Sequence, residues 1–499
     1  MNVNRSLMLF LMAFTASLNF HAECSSAVKH QERAQAWAWI GGSKIRNQHS
    51  TVDGQESYPG ARDGATSWFH SNSTVWVFGG KGFGLKKSQP SQLPMLDELW
   101  SFDIKKRQWQ FHPFDNKTFK GQKPLPCSGC VSCSYQNKAL VFGSSGSFIF
   151  DMGTMTWTVL QDNKSSPVPR SDAAHWCDAE KGVLWIFGGT DSGKNLDDFW
   201  SFSFKNSQWK ELRPKSNKST IPAKCIKATT WMHPSGILYM FGGSCHGRLT
   251  SYFWSYSPGT LEWKKFGGSE GVPKCAGRFG QRGVASKGNY PGCRNGAASW
   301  IDKHGNLWMF GGSGYDNFSV SAFAMPGLLS DFWMYNVSSH QWMWMGGLSR
   351  EEGRPFFGEK GVADARNIPG PREGAVSFSY NHEMWLFGGA GHDDKQFDGL
   401  LNDLWMYTTF TNITPTQGTQ LPGDTISISF GVRVLIALLV MALGLVVSLS
   451  MCYSKECKIF RFKRHLRPVV KYTPVKVETV QVLQPETAGP INIDPNRNL

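Results

Sequence analysis

Apolar and polar positions along the chain recur in one fixed order. A short run of apolar and aromatic residues ends in two glycines, a polar segment of variable length follows, and then comes a second run with Asp beside an aromatic. Val75-Trp-Val-Phe-Gly-Gly80 is answered by Leu96-Asp-Glu-Leu-Trp-Ser-Phe102, and Leu184-Trp-Ile-Phe-Gly-Gly189 by Leu196-Asp-Asp-Phe-Trp-Ser-Phe202. Leu238-Tyr-Met-Phe-Gly-Gly243 leads to Tyr252-Phe-Trp-Ser-Tyr256, and Leu307-Trp-Met-Phe-Gly-Gly312 to Ser330-Asp-Phe-Trp-Met-Tyr335. Met384-Trp-Leu-Phe-Gly-Gly389 leads to Leu401-Asn-Asp-Leu-Trp-Met-Tyr407, and Ala139-Leu-Val-Phe-Gly-Ser144 is a degraded copy. Aromatic-rich runs this short, bounded by glycine, read as strands.

Repeats of about 40–75 residues built from such runs predict an all-β radial array of small sheets, a β-propeller. Each blade reads as four strands, the innermost opening with a Pro-x-x-Arg-like lead-in such as Pro59-Gly-Ala-Arg62. Lead-ins at Pro59, Pro124, Pro167, Pro222, Pro291 and Pro369 give six blades. Trp109, Trp157, Trp209, Trp263 and Trp342 mark fourth strands, but none follows Tyr407. Trp37-Ala-Trp-Ile-Gly-Gly-Ser43 matches Trp342-Met-Trp-Met-Gly-Gly-Leu348, so the N-terminal segment is expected to complete the last blade and cover its open edge. The Arg position holds Cys127 in the second blade and Cys225 in the fourth, and the sequence gives no reason for either.

The pattern spans roughly residues 37–410 and closely resembles the kelch repeat, more loosely the propeller of galactose oxidase. The resemblance implies a fold. It leaves function open, because propellers carry catalysts, adhesion modules and adaptors alike.

Outside the repeats, Met1–Ala22 places Arg5 before the apolar stretch Leu7–Leu18 and small residues after it, the layout of a secretory signal peptide. Residues 23–410 form the predicted ectodomain, and 411–429, rich in Thr, Pro and Gly, a stalk. Within 430–452, Val434–Cys452 is apolar and long enough to cross a bilayer. Lys455, Lys458, Arg461, Lys463, Arg464 and Arg467 follow, which puts the tail, 453–499, in the cytosol and predicts a single-pass type I protein. Much of the net charge of +14 sits in this membrane-flanking tail, so no nucleic-acid partner is expected. Cys452 and Cys457 suit S-palmitoylation, and Tyr472-Thr-Pro-Val475 resembles a tyrosine-based sorting signal, read by an adaptor bound to the tail.

An exported domain should pair most of its nine cysteines, and Cys225 with Cys245 and Cys275 with Cys293 are the pairings proximity suggests. The Cys127-x-x-Cys130-x-x-Cys133 run lacks a second knuckle, so zinc is not expected. Sequons at Asn72, Asn116, Asn163, Asn217, Asn317, Asn336 and Asn412 predict a glycosylated surface. A galactose-oxidase-like copper site would need two histidines, a tyrosine and a Cys-linked tyrosine at the axis of a seven-bladed ring. His175, His246, His304, His382 and His392 show no such local pattern, and His392-Asp-Asp394 reads as a turn that could otherwise bind a cation. No catalytic residue, metal or cofactor is assigned.

That leaves recognition. The long loops Lys44–Tyr58, Lys81–Met95, Phe266–Tyr290, Ser313–Leu329, Gly346–Ile368 and Ala390–Leu400 are expected on one face of the ring. Two of them, free of sequons, carry Lys274, Arg278, Arg282, Arg350 and Arg354, a basic surface suited to an acidic glycan or acidic protein face. The expected protein is a receptor or adhesion module at the plasma membrane or in endomembranes. A membrane-tethered copper oxidase and a luminal sorting or quality-control receptor are the alternatives.

Overall fold

A computed structural model describes residues 35–53, 57–70, 73–87, 91–115, 120–161, 166–213, 221–271, 274–317, 325–347 and 353–409, all within Met1–Thr414, the first of the chain's two units. The leader, stalk, membrane span and tail expected from the sequence lie outside the described residues. Among the described residues no helix is long and apolar enough to cross a membrane.

Every regular element described is a strand. Six antiparallel meanders carry the fold, with three small ribbons beside them. The first sheet runs Thr66–His70, Thr74–Phe78, Leu99–Asp103, Gln108–His112, and the second Val131–Tyr135, Lys138–Gly143, Gly146–Asp151, Thr156–Leu160. The third runs Ala174–Asp178, Val183–Phe187, Phe199–Ser203, Gln208–Glu211, and the fourth Thr229–Met232, Leu238–Phe241, Phe253–Ser257, Glu262–Gly267. The fifth runs Ala298–Ile301, Leu307–Gly314, Gly327–Asn336, Gln341–Gly346. In the sixth, Val376–Tyr380, Glu383–His392 and Asp398–Thr409 are completed in space by Gln35–Gly41, with Ala36 opposite Thr408 and Trp39 opposite Trp405. This all-β arrangement is consistent with a kelch-type propeller.

Second strands are apolar on both sides because neighbouring sheets press on both of their faces. Leu307, Trp308, Met309 and Phe310 are all buried. Wide gaps between the sheets are filled by rings. Trp37 of the N-terminal strand lies 5.4 Å from Phe332 and 5.2 Å from Tyr407, a wedge between the fifth and sixth sheets. Truncating a buried tryptophan of this kind costs about 3–5 kcal/mol. Each innermost strand lies against the next, and the sixth against the first.

The lead-in arginines stand outside the innermost strands. Arg62–Asp63 pairs with Lys81–Gly82, and Arg372–Glu373 with Ala390 and Gly391, as separate short strands. The break comes two residues after each Arg or Cys position, where Gly64, Gly129, Asp172, Lys227, Gly296 and Gly374 take φ between 54° and 71°. In that conformation each N–H reaches the carbonyl of its counterpart in the preceding sheet. Gly129 donates to Gly64 (2.8 Å), Asp172 to Gly129 (2.8 Å), Lys227 to Asp172 (2.9 Å), Gly296 to Lys227 (2.8 Å) and Gly374 to Gly296 (2.9 Å). Gly64 donates back to Gly374 (3.0 Å), so the bonds form a closed circuit around the axis.

The glycine pairs serve the same neighbour contacts. Gly80 N–H donates to Cys127 O at 2.8 Å and Gly243 N–H to Arg294 O at 2.8 Å, each bond crossing to the next sheet. A side chain on the first glycine would collide with that same backbone: a Cβ at Gly79 would lie 2.6 Å from Cys127 O.

Candidate recognition surfaces

Four guanidinium groups are sealed from water at Arg62, Arg170, Arg294 and Arg372, and each is fully bonded. Arg294 gives Nε to Gly292 O (3.1 Å), Nη1 to Gly311 O (3.0 Å), and both Nη groups to the Asp331 carboxylate (2.6 and 2.8 Å). Trp333 Nε1 donates to the same carboxylate at 2.7 Å. The set recurs as Arg372, Asp403 and Trp405, as Arg170, Asp198 and Trp200, and with Glu98 in the acidic place as Arg62, Glu98 and Trp100. Where cysteine replaces the arginine, the acid is gone too. Gly146 occupies its register position in the second sheet and Tyr252 in the fourth. A buried carboxylate without its guanidinium would be an unpaired charge, so both partners change together.

At one mouth of the axis, Asp63, Asp172, Glu373 and Lys227 converge, with Lys227 Nζ 4.0 Å from Glu373 Oε2. Burial pushes the Asp63 carboxyl up to about 6, against the pull of Lys227 and reinforced by Glu373 and Asp172. Burial also raises Asp172. Burial alone would lower Lys227, but Glu373, Asp63 and Asp172 carry it above its ordinary value. Behind this mouth lies a channel of about 440 Å³ lined by the hydroxyls of Ser67, Ser132, Thr230, Ser299 and Ser377 together with His175. Burial pushes His175 down to about 4, which keeps the imidazole neutral. The other histidines weighed from the sequence do not join it. His246, His304 and His382 are exposed in turns, and His392 belongs to a different cavity. Among the described residues no group of three or more His, Cys, Asp or Glu is arranged to hold a metal ion.

Parts of two of the long loops expected on one face of the ring, Phe266–Tyr290 and Gly346–Ile368, are instead bound along sheet edges. Phe279-Gly-Gln-Arg-Gly-Val-Ala-Ser-Lys-Gly-Asn-Tyr-Pro-Gly292 runs beside the fifth sheet's outer strand, with Gly283 N–H on Trp344 O (2.8 Å) and Asn289 Nδ2 on Trp342 O (3.3 Å). Phe357-Gly-Glu-Lys-Gly-Val-Ala-Asp-Ala-Arg-Asn-Ile-Pro-Gly370 repeats the arrangement on the N-terminal strand, with Gly361 N–H on Trp39 O (2.7 Å) and Asn367 Nδ2 on Trp37 O (2.9 Å). Phe279 packs on Trp333 and Trp344 as Phe357 packs on Trp405 and Trp39. These are one motif used twice to cover exposed backbone. Lys274, Arg278 and Arg282 are exposed on the first copy and its approach, and Arg354 on the approach to the second. Arg282 is anchored, its Nε donating to Met345 O at 2.8 Å. Arg350 lies outside the described residues.

The other long loops do meet. The hairpin loops between second and third strands of the first, fifth and sixth sheets, with Asn47, enclose a groove of about 700 Å³. Its floor is the small cluster of Ala61, Phe83 and Leu400, backed by Leu93 and Ala390. Met325 stands 77% exposed at the rim. His392 Nε2 and Asp398 Oδ1 are 2.7 Å apart beside it. Within the His392-Asp-Asp394 turn, Asp393 is buried, accepts from Lys395 N (2.9 Å) and Phe397 N (3.0 Å), and faces Arg46.

Cys225–Cys245 and Cys275–Cys293 are disulfides, as the sequence suggests. Cys127–Cys130 and Cys133–Cys177 are two further pairs, the latter joining the second sheet to the third. Of the sequon asparagines, Asn336 is half-buried at the end of the strand Gly327–Asn336 and accepts from Ser339 N (2.8 Å), and Asn317 is half-buried in the fifth sheet's long hairpin loop. Asn72, Asn116, Asn163, Asn217 and Asn412 lie outside the described residues, as do Cys24, Cys452, Cys457, Tyr472 and Val475.

A family model described as the KLHDC2/KLHL20/DRC7 Kelch-repeats domain matches residues 144–289. Among known proteins, the chain is 26% identical over 140 residues to an N-(sulfonatooxy)prop-2-enimidothioate sulfolyase of Thlaspi arvense, covering 26% of this chain and 39% of that one. It is 22% identical over 301 residues to the leucine-zipper-like transcriptional regulator 1 homolog of Drosophila melanogaster, covering 55% and 27%. It is 20% identical over 206 residues to the Kelch domain-containing protein 10 of Rattus norvegicus, covering 39% and 47%. The chain thus spans less than half the length of each of these relatives. These matches, over a fold built from six copies of one strand pattern, support a kelch-repeat family for this chain.

Proposed function

We propose that this chain is a recognition protein: a type I membrane glycoprotein whose six-bladed kelch propeller, closed by its N-terminal strand, binds a ligand outside the cytosol. The ligand is an acidic glycan or the acidic face of a protein, and the contact surface is the basic edge around Lys274, Arg278, Arg282, Arg350 and Arg354. One observation carries this reading. The edge segments are hydrogen-bonded to outer strands, with Arg282 on the first copy and Lys274, Arg278 and Arg354 on the approaches, and the first copy is flanked by Cys275–Cys293. Cations held on a fixed surface lose little freedom on binding and can read a charge pattern. A catalytic role is not part of this proposal.

Heparin, a sulfated glycan, is the probe. The full-length protein in detergent is retained on immobilised heparin, and Lys274→Glu, Arg278→Glu and Arg354→Glu combined lower the salt needed for elution while leaving the melting temperature unchanged. Elution at the same salt as the native protein contradicts the assignment of this edge.

A further inference from the structure

We propose a second binding site, of opposite charge, at the groove between the first, fifth and sixth sheets. It takes a short peptide segment in which an arginine or lysine side chain stands next to an apolar one. The site is separate from the basic edge and does not depend on it.

Three features select this occupant. The groove's volume, about 700 Å³, lies within the range of about 300–1,000 Å³ typical of ligand pockets. Its surface offers apolar contact that the fold itself does not use: Met325 is 77% exposed, and Leu93 is only partly covered above Phe83 and Leu400. Methionine adapts its shape to an incoming apolar side chain. The carboxylates on the described lining are Glu373, which already faces Lys227 Nζ at 4.0 Å, and Asp398; no lysine or arginine is itself a lining residue, and Arg46, which packs beside Gly399, is paired with Asp393. Asp398 is 82% exposed, its carboxylate turned to solvent beside His392. An acidic peptide would meet like charge here, whereas a cationic one gains an ion pair beside an apolar seat.

The test uses three fluorescein-labelled octapeptides in a Gly/Ser background, carrying Arg-Leu, Glu-Leu or Arg-Ser at the centre. Fluorescence polarisation is read against the full-length protein in detergent. Arg-Leu binds tightest, and Asp398→Asn and Met325→Ser each weaken it by roughly tenfold, about 1.4 kcal/mol. Heparin retention stays unchanged in both variants. Equal binding of Glu-Leu, equal binding of Arg-Ser, insensitivity to both substitutions, or no binding of any peptide up to about 1 mM each overturns the proposal. Loss of the heparin interaction with Arg-Leu binding intact would remove the basic-edge reading and leave this one standing.

Discussion

A buried guanidinium is tolerated at Arg62, Arg170, Arg294 and Arg372 because carbonyls, a carboxylate and its indole donor satisfy it together. Removing one member leaves a charge without a partner, which costs about 3–5 kcal/mol, while apolar replacement of both costs far less. Arg294→Met should therefore lower stability by about 3–5 kcal/mol, and Arg294→Met with Asp331→Leu should recover most of the loss, both read by chemical denaturation. A double variant as unstable as the single would undo the account of Cys127 and Cys225 as coordinated replacements. Asp63 poses the reverse case. Its folded-state value, about 6, exceeds the ordinary 3.8, so the folded protein holds this proton more tightly than the unfolded chain does. The stability it contributes is full below about pH 4 and is lost as the pH rises through about 6. Asp63→Asn should raise stability at pH 7 by on the order of 1–3 kcal/mol and flatten the decline between about pH 4 and 6. An unchanged pH profile of the melting temperature would contradict the burial argument.

At the scale of elements, strands announce themselves in the sequence because aromatic runs and glycine pairs recur with the fold. Trp37-Ala-Trp-Ile-Gly-Gly repeats the outer strand of the fifth sheet, and Gln35–Gly41 takes that position in the sixth. Cys225 and Cys245 sit on paired strands, so proximity along the sheet found their bond. Cys133–Cys177 joins two sheets across 44 residues, and nothing local marks it. The edge motif is written in the sequence, since Phe-Gly-x-x-Gly-Val-Ala recurs at Phe279 and Phe357, but nothing in that pattern says which strand edge it covers. The axial circuit was hidden because Asp172 and Lys227 occupy places where the other sheets use glycine. The groove is legible only in three dimensions, since it joins residues near 47, 83, 325 and 400 that meet because the sixth sheet lies beside the first.

For the whole molecule, closure decides whether there is one rigid scaffold or an open stack of sheets. The two ends of the described chain meet in one sheet, Gln35 opposite Thr409, and Trp37 packs against both the fifth and sixth sheets. The Phe357–Gly370 segment then covers the N-terminal strand from outside. Both proposed surfaces depend on this seal, because the groove borrows Asn47 and the second edge motif rests on Trp37 and Trp39. Pairing ends so distant in sequence carries a loop-closure cost, which the buried tryptophan and a full strand of hydrogen bonds must exceed. Native-state hydrogen exchange on the full-length protein tests this most directly. The amides of Gln35–Gly41 should exchange as slowly as those of Leu307–Gly314, both only through global unfolding. Rapid exchange across Gln35–Gly41 while the fifth sheet stays protected would show a frayed edge and contradict the closed ring.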